Sequence, residues 1–184
     1  MIRFDNVPPE VMQAMCTPMH QILAPASIPG HPGHATGALY LGSLSAVMEK
    51  DGLHEKHITH LVQVLDVPWL PITDKDGFNC YQIKIDDSPS EDLRPHLEAV
   101  CNHIDRALKT GKNVLVHCQQ GVSRSASIVI AYLIRNYGMS FDAAHALVLR
   151  KRPCIKPNSG FVRALHEWEA AWKRPAGPVR RFTS

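Results

Sequence analysis

The stretch "VLVHCQQGVSRS", residues 114–125, decides the fold of this chain. An apolar run ends in His117 and Cys118, a short loop follows, and the chain passes directly into the apolar segment "ASIVIAYLI" at 126–134. A short apolar run before a loop is typical of a buried strand, and the longer apolar segment is typical of a buried helix. The order strand, loop, helix therefore predicts an α/β domain with this strand near the centre of its sheet.

The loop between that strand and helix has the composition of an anion site. Consecutive backbone N–H groups of a loop and a helix start form a cradle for an anion. The same field favours a thiolate over a thiol, which makes Cys118 a candidate nucleophile. Arg124 carries a planar fork of donors that can hold two oxygens of a phosphate. The alternative is a buried inert cysteine beside an arginine that only caps a loop. The combination of His, Gly, Arg and Ser around Cys118 favours the reactive site.

Outside this stretch, short apolar runs alternate with longer amphipathic ones. This alternation predicts a central, mostly parallel sheet flanked by helices. Strands are predicted at 58–65, 80–85 and 113–118. Helices are predicted within 90–112, over 125–137, within 140–152 after a Ser140 cap, and over 158–172.

With 184 residues and 45% hydrophobic content, the chain is long enough for one substantial core. Proline, glycine and histidine set residues 1–35 apart as an N-terminal extension, before a folded domain at 36–174. Within the extension, Pro8 and Pro9 can open a short helix that Pro18 would kink or interrupt. Residues 175–184 are predicted to be a flexible basic tail.

Several classes of function are disfavoured by composition. The five cysteines are scattered without a Cys-x-x-Cys pair, which indicates a reducing compartment, the cytoplasm with the nucleus as an alternative. No apolar stretch reaches the roughly 18 residues of a membrane helix, and a net charge of +3 is too weak to indicate nucleic acid. Histidines at 54, 57 and 60 lack the helix that would join them at a metal, so no metal or cofactor is expected.

The segment "HCQQGVSRS" at 117–125 fits the pattern His-Cys-x5-Arg-Ser/Thr and resembles the small, atypical dual-specificity phosphatases, members of the cysteine-dependent protein tyrosine phosphatase superfamily. Four other segments are similar to that family in the same order. They are "ALYLGS" at 38–43, "ITHLVQVL" at 58–65, "IDDSPSEDL" at 85–93 and "RPCIKPNSGFVRAL" at 152–165. The resemblance covers residues 36–172, and it implies that 36–174 is a phosphatase catalytic domain.

The resemblance also implies roles for individual residues. Spacing leaves Asp86 and Asp87 open as the general acid, since both follow the strand before the predicted acid loop. The family pattern Asp-Ser-Pro with a leucine six residues later favours Asp87, with Asp86 kept as the alternative. Ser125 resembles the hydroxyl that donates to the sulfur, and His117 the histidine that orients the loop. The phosphate would be bound by the loop residues Gln119, Gln120, Gly121, Val122, Ser123 and Arg124. Asn158 resembles the asparagine that braces the loop, and a simple turn residue is the alternative interpretation.

These roles imply a protein phosphatase that acts on phosphotyrosine and on phosphoserine or phosphothreonine through a cysteinyl-phosphate. The expected partner is a phosphorylated protein, and the expected state is a monomer. One alternative is a catalytically silent phosphoprotein-binding relative. Another is a phosphatase of phosphoinositides, which the absence of lysine from the loop disfavours.

Overall fold

The computed structural model describes residues 6–173, and the segment that carries the cysteine loop lies at the centre of its sheet. The five strands are β1 (Met19–Leu23), β2 (Leu39–Gly42), β3 (Ile58–Val64), β4 (Asn79–Ile83) and β5 (Asn113–His117). Their order across the sheet is β1-β2-β5-β3-β4. β5 pairs in parallel with both β2 and β3, β4 is parallel to β3, and β1 is antiparallel to β2. The predicted α/β fold with a mostly parallel sheet is confirmed.

The helices cover both faces of the sheet. They are α1 (Pro9–Cys16), α2 (Ser45–Met48), α3 (Lys50–Glu55), α4 (Arg94–Lys109), α5 (Arg124–Tyr137), α6 (Phe141–Lys151) and α7 (Ser159–Trp172). Val114 and Val116 join the large core formed with α4 to α7, while Leu115 joins a smaller core with α2 and α3. Because both faces of β5 are covered, its apolar run is continuous rather than alternating.

Helix α5 is buried on nearly all sides, as its sequence predicts, and residues 125–134 are all buried. Its C-terminal cap is Gly138, which adopts the left-handed conformation at φ 64°. Ser140 caps α6 by accepting a hydrogen bond from the Ala143 N–H. These signals explain why the predicted helix bounds agree closely with the observed ones.

The strand β1 was not predicted. Helix α1 ends at Cys16, before Pro18, and the chain then pairs with β2 along the edge of the sheet. Ile22 is buried in the large core, and a Cβ at Gly42 would lie 2.5 Å from the carbonyl oxygen of Pro18. The sequence does not indicate this strand for two reasons. Prolines lie on both sides of it, and its buried and exposed residues do not alternate regularly.

Among the helices described between residues 6 and 173, none has the length and apolar character that spanning a membrane requires. The predicted basic tail at 175–184 lies outside the described residues.

Candidate active site

The candidate site lies where β5 ends, at the carboxyl edge of the parallel strands, which is where ligands bind in open α/β sheets. Cys118 directly follows β5, and α5 begins six residues later at Arg124. Gly121 sits in the turn between them with φ 66°. A Cβ there would lie 2.6 Å from the carbonyl group of Gly42, so the turn requires glycine for both its conformation and its packing.

The sulfur of Cys118 is buried and faces two donors. The Ser125 hydroxyl lies 3.1 Å from Sγ, and the Gly121 N–H donates to Sγ at 3.3 Å. Sγ also lies near the start of the 14-residue helix α5, where the helix dipole is positive. These three features are the surroundings that the predicted nucleophilic role of Cys118 requires.

His117 is buried beneath the loop and does not contact the sulfur. Its Nε2 lies 3.0 Å from Oε1 of Gln63, whose amide donates to the Ile72 carbonyl at 3.1 Å. Its Nδ1 lies 3.4 Å from the Cys118 carbonyl oxygen, so both ring nitrogens face acceptors and a neutral ring donates to one of them. Burial lowers the pKa of His117 to about 4, so the ring is neutral at pH 7. These contacts are compatible with the prediction that His117 supports the loop and does not act as a base.

Arg124 stands at the mouth of the pocket, at the start of α5. Its Nη1 donates to the Ile85 carbonyl at 3.2 Å, which fixes the guanidinium against the strand end that leads to the acid loop. Its buried Nε has no hydrogen-bond partner among residues 6–173. The guanidinium therefore keeps donors available for an oxyanion beside the Cys118 sulfur.

Arg152 was not predicted as a site residue, yet it is fully buried against the back of the loop. Its Nε donates to the Gly121 carbonyl at 2.9 Å and its Nη2 to the Gln120 carbonyl at 3.1 Å. Its Nη1 donates to the Thr17 carbonyl at 2.9 Å and lies 2.8 Å from Nδ1 of His20. Because C=O and N–H point in opposite directions in a trans peptide, holding these carbonyls outward turns the N–H groups that follow them toward the pocket.

Asp87 lies at the opposite wall from the loop. Its Oδ1 accepts a hydrogen bond from Nδ2 of Asn158 at 2.8 Å. It lines a pocket of about 250 Å³ together with Cys118, Gln119, Gln120, Val122, Ser123 and Arg124. Asp86 does not line this pocket, and its backbone N–H faces Glu91 at 3.4 Å. The geometry thus favours Asp87 over the alternative that the spacing left open.

Asn158 connects the acid loop, the cysteine loop and α7. Its backbone N–H donates to Oγ of Ser123 at 3.0 Å, and its side-chain oxygen caps α7 by accepting from the Phe161 N–H at 2.9 Å. Gly160 lets α7 approach the acid loop, since a Cβ there would overlap the carbonyl oxygen of Pro89. The predicted bracing position of Asn158 agrees with these contacts.

Two of the remaining cysteines, Cys80 and Cys101, do not compete with Cys118 for this chemistry. Burial raises the pKa of Cys80 to about 11 and that of Cys101 to about 12, so both stay protonated at neutral pH. Within residues 6–173 no group of three or more His, Cys, Asp or Glu side chains could hold a metal ion.

Comparison with known proteins identifies a family whose members are similar to this chain. Residues 39–171 match the family described as "Dual specificity phosphatase, catalytic domain". Dual specificity protein phosphatase 1B of Arabidopsis thaliana is 37% identical over 131 residues, which cover 71% of this chain and 77% of that protein. Dual specificity protein phosphatase MPK-4 of Drosophila melanogaster is 42% identical over 129 residues, which cover 69% of this chain. This chain spans only 33% of that longer relative.

A solved structure shares the fold. The crystal structure of the human tyrosine phosphatase-like serine/threonine/tyrosine-interacting protein is 33% identical in sequence and superposes with a TM-score of 0.71. The match covers 84% of this chain and 97% of the human chain. The similarity therefore supports the fold of a central sheet flanked by helices.

Proposed function

The chain belongs to the dual-specificity phosphatase family, and from this membership and its site geometry we propose that it hydrolyses phosphotyrosine and phosphoserine or phosphothreonine in proteins. The proposed reaction passes through a phosphate ester of Cys118. The observation that supports it most is the buried sulfur with donors at 3.1 and 3.3 Å, in one pocket with Arg124 and Asp87. We assign residues 36–174 as the catalytic domain, to whose sheet the preceding strand β1 adds one edge.

In the first step, the Cys118 thiolate attacks phosphorus opposite the ester oxygen, forming an S–P bond as the P–O bond breaks. Asp87, protonated, gives its proton to the departing oxygen, so an alcohol or phenol leaves rather than its anion. Arg124 and the N–H groups of the loop hold the three other phosphate oxygens, whose charge they stabilise as the bonds rearrange.

In the second step, water attacks the cysteinyl-phosphate and releases inorganic phosphate. The carboxylate of Asp87 takes a proton from the water, and the S–P bond breaks to restore the thiolate. Ser125 eases this departure, because its hydroxyl, 3.1 Å from Sγ, donates a hydrogen bond to the sulfur as it regains its charge.

The charge of the pocket supports a protein substrate over a phosphoinositide. Arg124 and Asp87 are the charged members of the described pocket lining, and no lysine lies within the loop. One arginine fork suits a single phosphate ester. A headgroup with several phosphates would leave its other charges without partners there.

We propose a location in the cytoplasm, with the nucleus as a further location, since the five cysteines are scattered without a Cys-x-x-Cys pair.

The test is phosphate release by the purified chain from peptides matched in sequence but carrying phosphotyrosine or phosphothreonine. A phosphoinositide panel runs alongside, and Cys118→Ser serves as the blank. Peptide turnover that disappears in Cys118→Ser is the expected result. Turnover of the lipids alone would overturn the protein substrate class. Tight binding of phosphopeptides by the unmodified chain without release of phosphate would instead identify a silent phosphoprotein-binding protein.

A further inference from the structure

An uncharged groove of about 440 Å³ lies beside the phosphate pocket, and the reaction proposed above does not use it. Its apolar lining consists of Met15, Leu44, Met48 and Trp69, and its polar edge of serines and the amides of Gln119 and Gln120. None of the residues that line it carries a charge. The groove is thus chemically unlike the phosphate pocket, which is built around Arg124.

The groove is lined by large apolar side chains that are exposed, although such side chains are usually buried in folded proteins. Six large hydrophobic side chains are exposed among residues 6–173, and three of them line this groove. Met48 is 61% exposed, Trp69 58% and Met15 38%. They come from helix α2, the β3–β4 connection and helix α1, so no single amphipathic element accounts for them. A cluster of exposed apolar groups from separate segments marks a binding surface.

The groove is continuous with the phosphate pocket. Gln119 and Gln120 line both, so the two cavities meet at the first residues of the loop. The Leu44 N–H donates to the Gln119 carbonyl at 3.1 Å, which fixes one wall of the groove to the loop. A peptide whose phosphate lies on Arg124 must leave the pocket past some part of its rim, and this part offers apolar contact.

The surface beside the acid loop has a different character from the groove. It carries Arg94, Asp92, Glu91, Arg163 and Glu167. Arg94 is paired there with both Asp92 and Glu167. An apolar substrate side chain would therefore find its complement at the groove rather than at this charged surface, and an acidic or phosphorylated neighbour placed in the groove would lose hydration without gaining a partner.

We propose that the groove of Met15, Leu44, Met48 and Trp69 binds an apolar side chain that flanks the phosphorylated residue of the substrate protein. The inference rests on the proposed protein phosphatase function and narrows its substrate class. Methionine side chains adapt to aliphatic or aromatic groups, and a partly exposed tryptophan supplies a large contact area. The enzyme then prefers singly phosphorylated sites with a Leu, Met or Phe neighbour over doubly phosphorylated ones.

The experiment measures kcat/KM for phosphopeptides that differ at one position. Each of the two residues on either side of the phosphorylated residue is set in turn to Leu, Phe, Ser, Glu or a second phosphoresidue. At one position at least, kcat/KM for the peptide with Leu or Phe should exceed that for the peptide with Ser by about tenfold. Burial of such a side chain contributes about 1.4 kcal/mol or more, the equivalent of a tenfold ratio. Glu and the second phosphate should rank lowest at that position.

The double variant Trp69→Ala with Met48→Ser should bring the Leu-to-Ser ratio to below about twofold. Both side chains are exposed, so the fold should be retained, which a thermal melt checks. Turnover of p-nitrophenyl phosphate, which has no flanking residues, should be unchanged. Leu149→Ala is the matched control, since Leu149 is 38% exposed on α6 and does not line the groove.

Each contrary outcome has a distinct signature. An unchanged Leu-to-Ser ratio in the double variant, or no ratio in the unmodified chain, overturns the groove assignment while the phosphatase function stands. Turnover of p-nitrophenyl phosphate without any phosphopeptide turnover overturns the protein substrate class itself. If the double variant loses turnover only of long-chain phosphoinositides, the groove binds acyl chains instead. A dimer in sedimentation that the double variant converts to monomer assigns the groove to a second copy of the chain.

Discussion

The two loops that form the catalytic pocket are held in opposite ways. The cysteine loop, 118–124, is packed against the core, and Cys118, Gly121 and Ser123 are all buried. Arg152 fixes its carbonyls from behind. The acid loop, 86–92, is mostly exposed, and a single hydrogen bond from Asn158 restrains the Asp87 carboxyl. In the proposed mechanism, the groups that hold charge are therefore preorganised, whereas the group that moves protons has fewer restraints.

The largest effect should come from Arg124→Lys. A lysine keeps the charge but loses the planar fork that holds two oxygens, so kcat/KM should fall at least about a thousandfold. Because the phosphate is common to every substrate, the loss should be equal for phosphopeptides and p-nitrophenyl phosphate. Arg163→Lys, an exposed change on α7, is the control. A lysine enzyme within about tenfold of the unmodified one would show that charge alone suffices there.

Arg152→Met should show how strongly the cysteine loop is fixed from behind. Methionine fills much of the volume but leaves the carbonyls of Thr17, Gln120 and Gly121 without their donor, so the free energy of unfolding should fall by about 3 kcal/mol. Urea denaturation measures the change, with the exposed neighbour Arg150→Met as control. Equal stability of the two variants would mean that water replaces the guanidinium and that the loop is not rigidly held.

The buried His117 makes the same loop sensitive to acid. Its pKa is about 4 in the folded chain and 6.5 when exposed, so between these values the unfolded chain binds a proton that the folded chain does not. The free energy of unfolding should therefore fall by about 3 kcal/mol as the pH is lowered from 6.5 to 4. Denaturation across this range should have a shallower slope in His117→Gln.

The exposed His31→Gln is the control for that slope. Part of the slope should persist in His117→Gln, because burial also lowers the pKa values of His20, His60 and His103. An unchanged slope in His117→Gln would show that the loop takes up the proton without loss of structure.

The sequence predicts the cysteine loop well because its signals are local. An apolar strand, a loop with Gly121 and a helix start lie within one continuous stretch, and this order alone brings Cys118 and Arg124 together. The family pattern was needed to favour Asp87 as the acid, because spacing alone does not distinguish it from Asp86.

The contacts of Arg152 and Gln63 could not be predicted, because they join distant parts of the chain. Arg152 reaches Gly121 across 31 positions and Thr17 across 135, and an arginine beside Lys151 reads as surface in sequence. Gln63 could not be predicted for the same reason, since its partner His117 is 54 positions away. The apolar groove likewise depends on four segments that only the fold brings together.

Asp87→Asn tests the acid loop by leaving group. Asparagine cannot give a proton, so turnover of a phosphothreonine peptide should fall about a hundredfold. The loss should be much smaller for p-nitrophenyl phosphate, because p-nitrophenolate departs without protonation. Asp86→Asn is the matched control and should change neither substrate by more than about twofold. Equal losses on both substrates in Asp87→Asn would mean that this carboxyl acts through the structure of the loop and not as an acid.

The smallest effect concerns the single bond that restrains this acid, and two substitutions of Asn158 separate its two tasks. Serine still caps α7 but has no amide N–H to give to Asp87, whereas alanine loses both contacts. Asn158→Ala should therefore lower the free energy of unfolding by about 1 kcal/mol and Asn158→Ser by much less. Both should slow phosphothreonine turnover about tenfold, the equivalent of one charge-assisted hydrogen bond, and leave p-nitrophenyl phosphate nearly unaffected. If serine restored full turnover as well as stability, Asp87 would need no restraint from Asn158, and the acid loop would reach its working position through the bound substrate alone.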